Sequence, residues 1–195
     1  MSTLEDISKL REMTGAGMMD CKKALDEADC NFEKAVEVLR KKGAATAAKR
    51  AERDANQGLV VSYIHNGRIG AMLELNSETD FVAKNDDFKQ LAADLVMHVA
   101  AAAPLYITPL DVPAEVVEKE REIEKAQLEG AGKPADVMEK ILLGKIEKYY
   151  SQVCLLKQPF VKNPDITIED LLNEKTAAIG EKIVVRRFVR YELGR

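Results

Sequence analysis

The dipeptide Asn66-Gly67 constrains what this chain can fold into more than any other feature of it. It stands between two runs of strand-like character, Leu59 to His65 and Arg68 to Leu75, and supplies the positive φ angles that a two-residue hairpin turn demands. The two runs are therefore predicted to pair antiparallel. With Asn66 and Gly67 alone in the turn, His65 faces Arg68, and Val60, Ile64, Ile69, Ala71 and Leu73 share the face that covers a core. Ile183 to Tyr191 reads as a further strand with hydrophobic residues on both sides, lying against the hairpin to make a small three-stranded antiparallel sheet.

Around these strands the apolar spacing is helical. Phe88, Leu91, Leu95, Val99 and Ala102 form one stripe of a helix over 86–103, which Pro104 ends. Two more helices are predicted, from Pro113 to Leu128 and from Pro134 onward through Met138, Ile141, Leu142, Ile146 and Tyr149, with Gly130 and Gly132 between them. Thr167 with Asp170 resembles a capping box for a short helix bearing Ile168, Leu171, Leu172 and Ile179, closed by Gly180. Segregated helices and strands predict an α+β class, with the sheet packed against helices.

Residues 1–43 read as a separate three-helix module. Thr3 and Asp6 signal the first helix, with Leu4, Ile7 and Leu10 inward and an end near Thr14-Gly15. The second follows Gly15-Ala16-Gly17 and turns Met18, Cys21, Leu25 and Ala28 inward. The third starts after Asn31, carries Phe32, Ala35, Val36 and Leu39, and is predicted to stop at Gly43. Residues 44–57, rich in Ala, Lys and Arg, read as a helical linker to an α+β core over 58–195.

Charge and motif content narrow the function. Charged residues make up 32% of the chain in nearly balanced signs with a net charge of −4, which argues against a broad nucleic-acid surface. The basic run Lys41, Lys42, Lys49, Arg50 and Arg53 lacks interleaved aromatics and reads as a solvated face. Three cysteines without zinc spacing, and an amino terminus without a secretory pattern, point to a reducing cytoplasm. No apolar run approaches the roughly 18 residues that span a bilayer. A Gly-rich phosphate loop ending in Lys and Ser or Thr is absent, and Gly67 and Gly70 fall in a hairpin where no dinucleotide fingerprint belongs.

His65 and His98 have no partners at metal-ligand spacing, and Glu115 to Glu124 is a mixed-sign solvated face, so no catalytic residue, cofactor or metal is expected. His98 reads equally as core edge or as partner contact. One stretch stands out. Asn76 to Asn85 is a polar turn carrying Phe81 and Val82, which either staple the next helix to the core or form a protruding apolar wedge.

That stretch, Asn76-Ser77-Glu78-Thr79-Asp80-Phe81-Val82-Ala83-Lys84-Asn85, and Thr14-Gly15-Ala16-Gly17-Met18-Met19-Asp20-Cys21-Lys22-Lys23-Ala24-Leu25 resemble the two signature regions of bacterial elongation factor Ts. The likeness extends through Met97 to Ala101, Gln158 to Val161 and Arg187-Phe188 to Gly194, essentially the whole chain. It implies a ubiquitin-associated-like module, a connector and a core that docks on elongation factor Tu and promotes exchange of GDP for GTP. By the same resemblance Thr79, Asp80, Phe81 and Val82 enter the GTPase near its magnesium and help dislodge the ion. Arg11, Met18, Met19 and Lys22 grip its nucleotide-binding domain, and His98 contacts another domain. Met19 is expected to point outward and Met18 to sit on the inner stripe. The chain resembles the short form of the family, which implies a homodimer and a two-plus-two complex, with Ser77 at a place where cysteine is common. A general binding module and an unrecognised hydrolase are the competing readings.

Overall fold

Thr3 opens the first helix, α1 (Leu4–Thr14), through a reciprocal cap: its hydroxyl accepts from the Asp6 amide at 3.2 Å while the Asp6 carboxylate accepts from the Thr3 amide at 3.1 Å. Gly15, at φ 67°, closes it. α2 (Met18–Glu27) and α3 (Phe32–Arg50) follow, the latter capped by Asn31 Oδ1 accepting from the Lys34 amide at 3.0 Å. This computed structural model describes residues 2–128 and 135–195. In chain order come β1 (Gln57–His65), β2 (Ile69–Ser77), α4 (Asp80–Lys84), α5 (Asp86–Ala102), α6 (Ala114–Leu128), α7 (Ala135–Val153), β3 (Pro159–Phe160), β4 (Asn163–Thr167), α8 (Ile168–Ile179) and β5 (Ile183–Glu192). Two compact units result, one of Met1–Ala100 with Glu169–Arg195, the other of Ala101–Ile168.

The three N-terminal helices enclose a small core of Ile7, Leu10, Cys21, Ala24, Leu25, Ala28 and Ala35, flanked by half-buried Phe32, Val36 and Leu39. Leu4 and Met18, both expected inward, are exposed because each opens its helix, where the apolar stripe runs past the edge of this core. Gly43 does not stop α3. The helix continues to Arg50, and residues 51–56 are turn and irregular backbone. A glycine inside a helix costs about 1 kcal/mol relative to alanine. Here its missing side chain lets α3 approach α8, since a Cβ on Gly43 would sit 3.3 Å from the Asn173 carbonyl oxygen. Arg40 and Asp170 pair at 2.7 Å across the same two helices.

The sheet has order β1-β2-β5, antiparallel throughout, as the three strands predict. Its hairpin register differs from the expected one by one residue. His65 pairs with Ile69, so Asn66 (φ 49°), Gly67 (φ 67°) and Arg68 all lie in the turn. The Arg68 amide still donates to the His65 carbonyl at 3.0 Å, but its carbonyl accepts from Leu193 at 2.8 Å, beyond β5, and the residue drops out of the β1 ladder. Because side chains alternate with period two, the slip reverses β1. Leu59, Val61 and Tyr63 turn toward buried Ala71, Leu73 and Leu75, while Val60 and Ile64 are exposed.

β5 carries a bulge. Glu74 pairs with Arg187 and Leu75 with Val185, leaving Arg186 without a partner in the ladder. Inward residues therefore change parity, from Ile183 and Val185 to Phe188 and Arg190, which explains why both sides of this strand are hydrophobic. Arg190 Nε donates to the Ala100 carbonyl at 3.0 Å and ties β5 to α5, whose stripe of Phe88, Leu91, Leu95 and Val99 is buried. On the outer face, Ile64, Gly70 and Tyr191 form one row, and Ser62, Met72 and Val189 the next. At the start of β1, Gly58 adopts φ 148° and any Cβ there would overlap the Leu75 carbonyl, so the position admits only glycine.

In the second unit Lys145 Nζ lies 3.0 Å from Glu124 Oε2, linking α6 and α7. The segment after α5 is tied to the end of α7 by a parallel bridge between Tyr106 and Cys154, and the amide of Gln158 donates to the Ala102 and Gln152 carbonyls at 3.3 and 2.7 Å. The β3-β4 ribbon is an addition to the predicted elements. Pro134, Gly130 and Gly132, which bear on the predicted start of α7, lie outside the described residues. No helix among the described residues is long and apolar enough to cross a membrane.

Candidate partner-docking site

The stretch read from sequence as a polar turn is more ordered than that. Ser77 ends β2, Glu78 and Thr79 leave the sheet, and Asp80 to Lys84 wind into the single-turn helix α4. Phe81 projects from it with 79% of its surface exposed, the most exposed aromatic among the described residues, while Ala83 turns into the core and Val82 is half-buried. Phe81 is therefore not a staple. Lys84 holds it from one side, with Nζ 5.7 Å from the ring centroid and 2.6 Å from Asp80 Oδ2. That ion pair keeps the Asp80 carboxyl below its usual range.

At its N-terminal end α4 is fastened across the sheet. Thr79 donates its amide to Glu181 Oε2 at 3.0 Å and its hydroxyl to Glu181 Oε1 at 2.7 Å. Glu78 in turn accepts from the Lys182 amide at 2.7 Å, Arg50 at 2.8 Å and Arg53 at 2.9 Å. Burial works against ionising Glu78, but the Lys182 amide and the two guanidiniums outweigh it and hold the carboxyl at about 2. Lys182 Nζ donates to the Ala51 and Arg53 carbonyls at 2.7 and 2.8 Å. Glu181 and Lys182 carry no signal in the sequence, and Arg50 and Arg53, expected on a solvated face, pair with Glu78 instead. Nothing local signals a contact between positions 102 residues apart.

Beside Phe81 lies an open cleft of ≈ 570 Å³ whose lining includes Arg11, Gly17, Met18, Phe81, Val82 and Ile179. The structure thus brings together four of the residues singled out from sequence, Arg11 and Met18 from the helical module and Phe81 and Val82 from α4. Met19, 65% exposed, and Lys22 lie on the same module outside the cleft lining. Met19 points outward as expected. His98 is different: it has no exposed surface and belongs to the core side of α5. Three consecutive turns of that helix bury residues on more than one stripe, which a single-stripe reading does not capture.

Among the described residues no group of three or more His, Cys, Asp and Glu is placed to hold a metal. Burial raises the Cys21 thiol and pushes Cys154 up to about 11, so neither supplies a thiolate nucleophile near neutrality. The features assembled here define a class, a mixed α+β protein with an N-terminal three-helix module and a three-stranded antiparallel sheet that holds an exposed aromatic beside a cleft.

Comparison with known proteins agrees with that class and narrows it. A family model described as elongation factor TS matches residues 6–195. The chain is 60% identical over 195 residues to elongation factor Ts of Carboxydothermus hydrogenoformans, covering 100% of this chain and 90% of that protein. It is 60% identical to elongation factor Ts of Moorella thermoacetica, with 100% and 96% covered. For elongation factor Ts of Thermotoga petrophila the identity is 56%, with 98% and 96% covered. The chain belongs to the elongation factor Ts family.

Proposed function

We propose that this chain is a guanine nucleotide exchange factor for elongation factor Tu that performs no covalent chemistry of its own. It docks on the GDP-bound GTPase, places the Thr79-Asp80-Phe81-Val82 segment near the magnesium site, dislodges the ion, and lets GDP leave so that GTP can enter. The observation that carries this reading is Phe81: a large apolar side chain 79% exposed on a fastened helix is poised to leave water for a partner's interior. Magnesium bridges the terminal phosphates to protein ligands, so its displacement uncovers phosphate charge and lowers nucleotide affinity.

Linkage sets the size of the docking surface. Whatever free energy docking takes from GDP binding, GDP takes from docking, so one inserted ring does not suffice. Arg11, Met18, Met19 and Lys22 extend the contact, with the methionines adapting to an apolar surface. In this reading residues 1–43 act as the gripping module, 44–57 as its connector and 58–195 as the core. His98, enclosed in the chain, is left out of the contact set. We place the activity in the cytoplasm, where translation runs.

The functional unit in this reading is a homodimer whose two chains engage two GTPases. Its support is the outer sheet face, where Ile64, Met72 and Tyr191 are 65%, 49% and 71% exposed on adjoining strands, a contiguous apolar surface suited to a second copy. The test of the exchange reading is dissociation of labelled GDP from purified elongation factor Tu. Addition of the chain is expected to accelerate release saturably, and release at the unassisted rate overturns the reading.

A further inference from the structure

An isolated helix of five residues does not hold itself together, because the cost of nucleating a turn outweighs the few hydrogen bonds it closes. α4 therefore owes its direction to its attachments, and the strongest of them lie at its N-terminal end. A threonine before a helix ordinarily accepts from an amide of the first turn. Thr79 does not: it makes no side-chain cap bond, and its hydroxyl donates to Glu181 instead.

The arrangement around it continues the sheet by other means. The last rung of the β2-β5 ladder is Ser77 with Ile183. One step further, the Lys182 amide donates to the Glu78 carboxylate, and the Thr79 amide donates to the Glu181 carboxylate. Side-chain carboxylates thus take the place of main-chain carbonyls, with one strand donating at 182 and the other at 79. Bonds to an ionised acceptor are about twice as strong as neutral ones, and Glu181 takes two donors from one residue, which fixes orientation as well as distance. Arg50 and Arg53 neutralise Glu78 from the end of α3, so the clasp also joins the helical module to α4.

We infer that Glu181 and Glu78 are positioning residues for nucleotide release, setting the angle at which α4 leaves the sheet and hence the aim of Phe81. This rests on the exchange reading above. Misplacing a working group by about an ångström costs far more in rate than in binding. Loosening the clasp should therefore lower the ceiling of stimulated release while leaving the affinity of the two proteins in place.

The test measures GDP release from elongation factor Tu across a range of concentrations of each variant, separating maximal rate from half-saturating concentration. Glu181→Ala is expected to lower the maximal rate about tenfold with half-saturation within about twofold of the parent. Glu181→Gln, whose amide oxygen accepts one of the two bonds, should recover to within about threefold. Thr79→Val combined with Glu181→Ala should lose no more than the single change, because both break one contact. An unchanged maximal rate, a shift confined to half-saturation, or losses that multiply overturns the inference. If Glu181→Ala fails to fold, Glu78→Gln, which weakens the other carboxylate of the clasp from outside the inserted segment, carries the same comparison. Phe81→Ala run in parallel separates the two claims. Release at the unassisted rate with the parent chain defeats the exchange reading itself, normal release with Phe81→Ala removes the wedge from it, and slow release with Phe81→Ala beside normal release with Glu181→Ala defeats the clasp alone.

Discussion

Gly43 faces the backbone of Asn173 so closely that a Cβ on the glycine would lie 3.3 Å from the asparagine carbonyl oxygen. The obstacle is main chain inside a helix and yields little. Gly43→Leu is expected to destabilise the protein by about 1–3 kcal/mol through overpacking. Gly144, in α7, has nothing within 4 Å of its Cβ position, and Gly144→Ala should add about 1 kcal/mol from helix propensity. Denaturant unfolding of the two variants checks both signs, and equal effects would mean that α3 and α8 are not in close contact.

Phe81→Ala separates function from fold. With the ring 79% exposed, its removal should change unfolding free energy by less than about 0.5 kcal/mol. Stimulated GDP release should fall about tenfold or more if the ring is a central anchor of the contact. Loss of stability comparable to that of a core truncation would instead return Phe81 to a structural role.

Glu78 makes the junction of α3, β2 and β5 acid-sensitive. Its folded carboxyl titrates at about 2 against an ordinary 4.5, so its contribution is complete above 4.5 and lost as pH falls from there toward 2. The unfolding midpoint should decline across that window. Glu78→Gln should flatten this part of the profile and cost about 1–2 kcal/mol at neutral pH, since a charge-assisted cluster is replaced by weaker bonds. A profile identical in parent and variant would show that the carboxylate is not ionised against its partners.

The outer sheet face is open to a direct check. Ile64→Glu together with Tyr191→Glu places two charges on one row of the sheet without touching its buried side. Sedimentation should report dimers for the parent and monomers for the variant, with far-ultraviolet dichroism unchanged. Dimers surviving both changes would move the interface elsewhere.

Where a residue's effect is local, sequence reading worked: the Thr3 and Asn31 caps, the Asn66-Gly67 turn and the stripe of α5 all follow from neighbours within four positions. It failed where a distant partner decides. Gly43 looks like a stop until Asn173 is placed beside it. The hairpin register turns on Arg68, whose carbonyl is claimed by Leu193, and the two-sided strand turns on the unpaired Arg186. For the candidate site, the pattern from Asn76 to Asn85 marked the wedge but gave no sign of Glu181, because hydrogen bonds across 102 residues leave no spacing to read. For His98, left open between core edge and partner contact, the position on α5 places it in the core.

The unbroken course of α3 has a mechanical meaning. Nineteen residues at helical rise make a strut about 28 Å long, rooted in the small N-terminal core and ending at Arg50. Pivoting where Gly43 meets Asn173, a tilt of about 5° imposed by a GTPase would swing the Arg50 end, seven residues on, through roughly 1 Å at that rise per residue. Arg50 grips Glu78 at that far end, so a partner holding the other extremity would tug on the root of the protruding ring. The glycine halfway along is what lets the lever lie flat against its fulcrum.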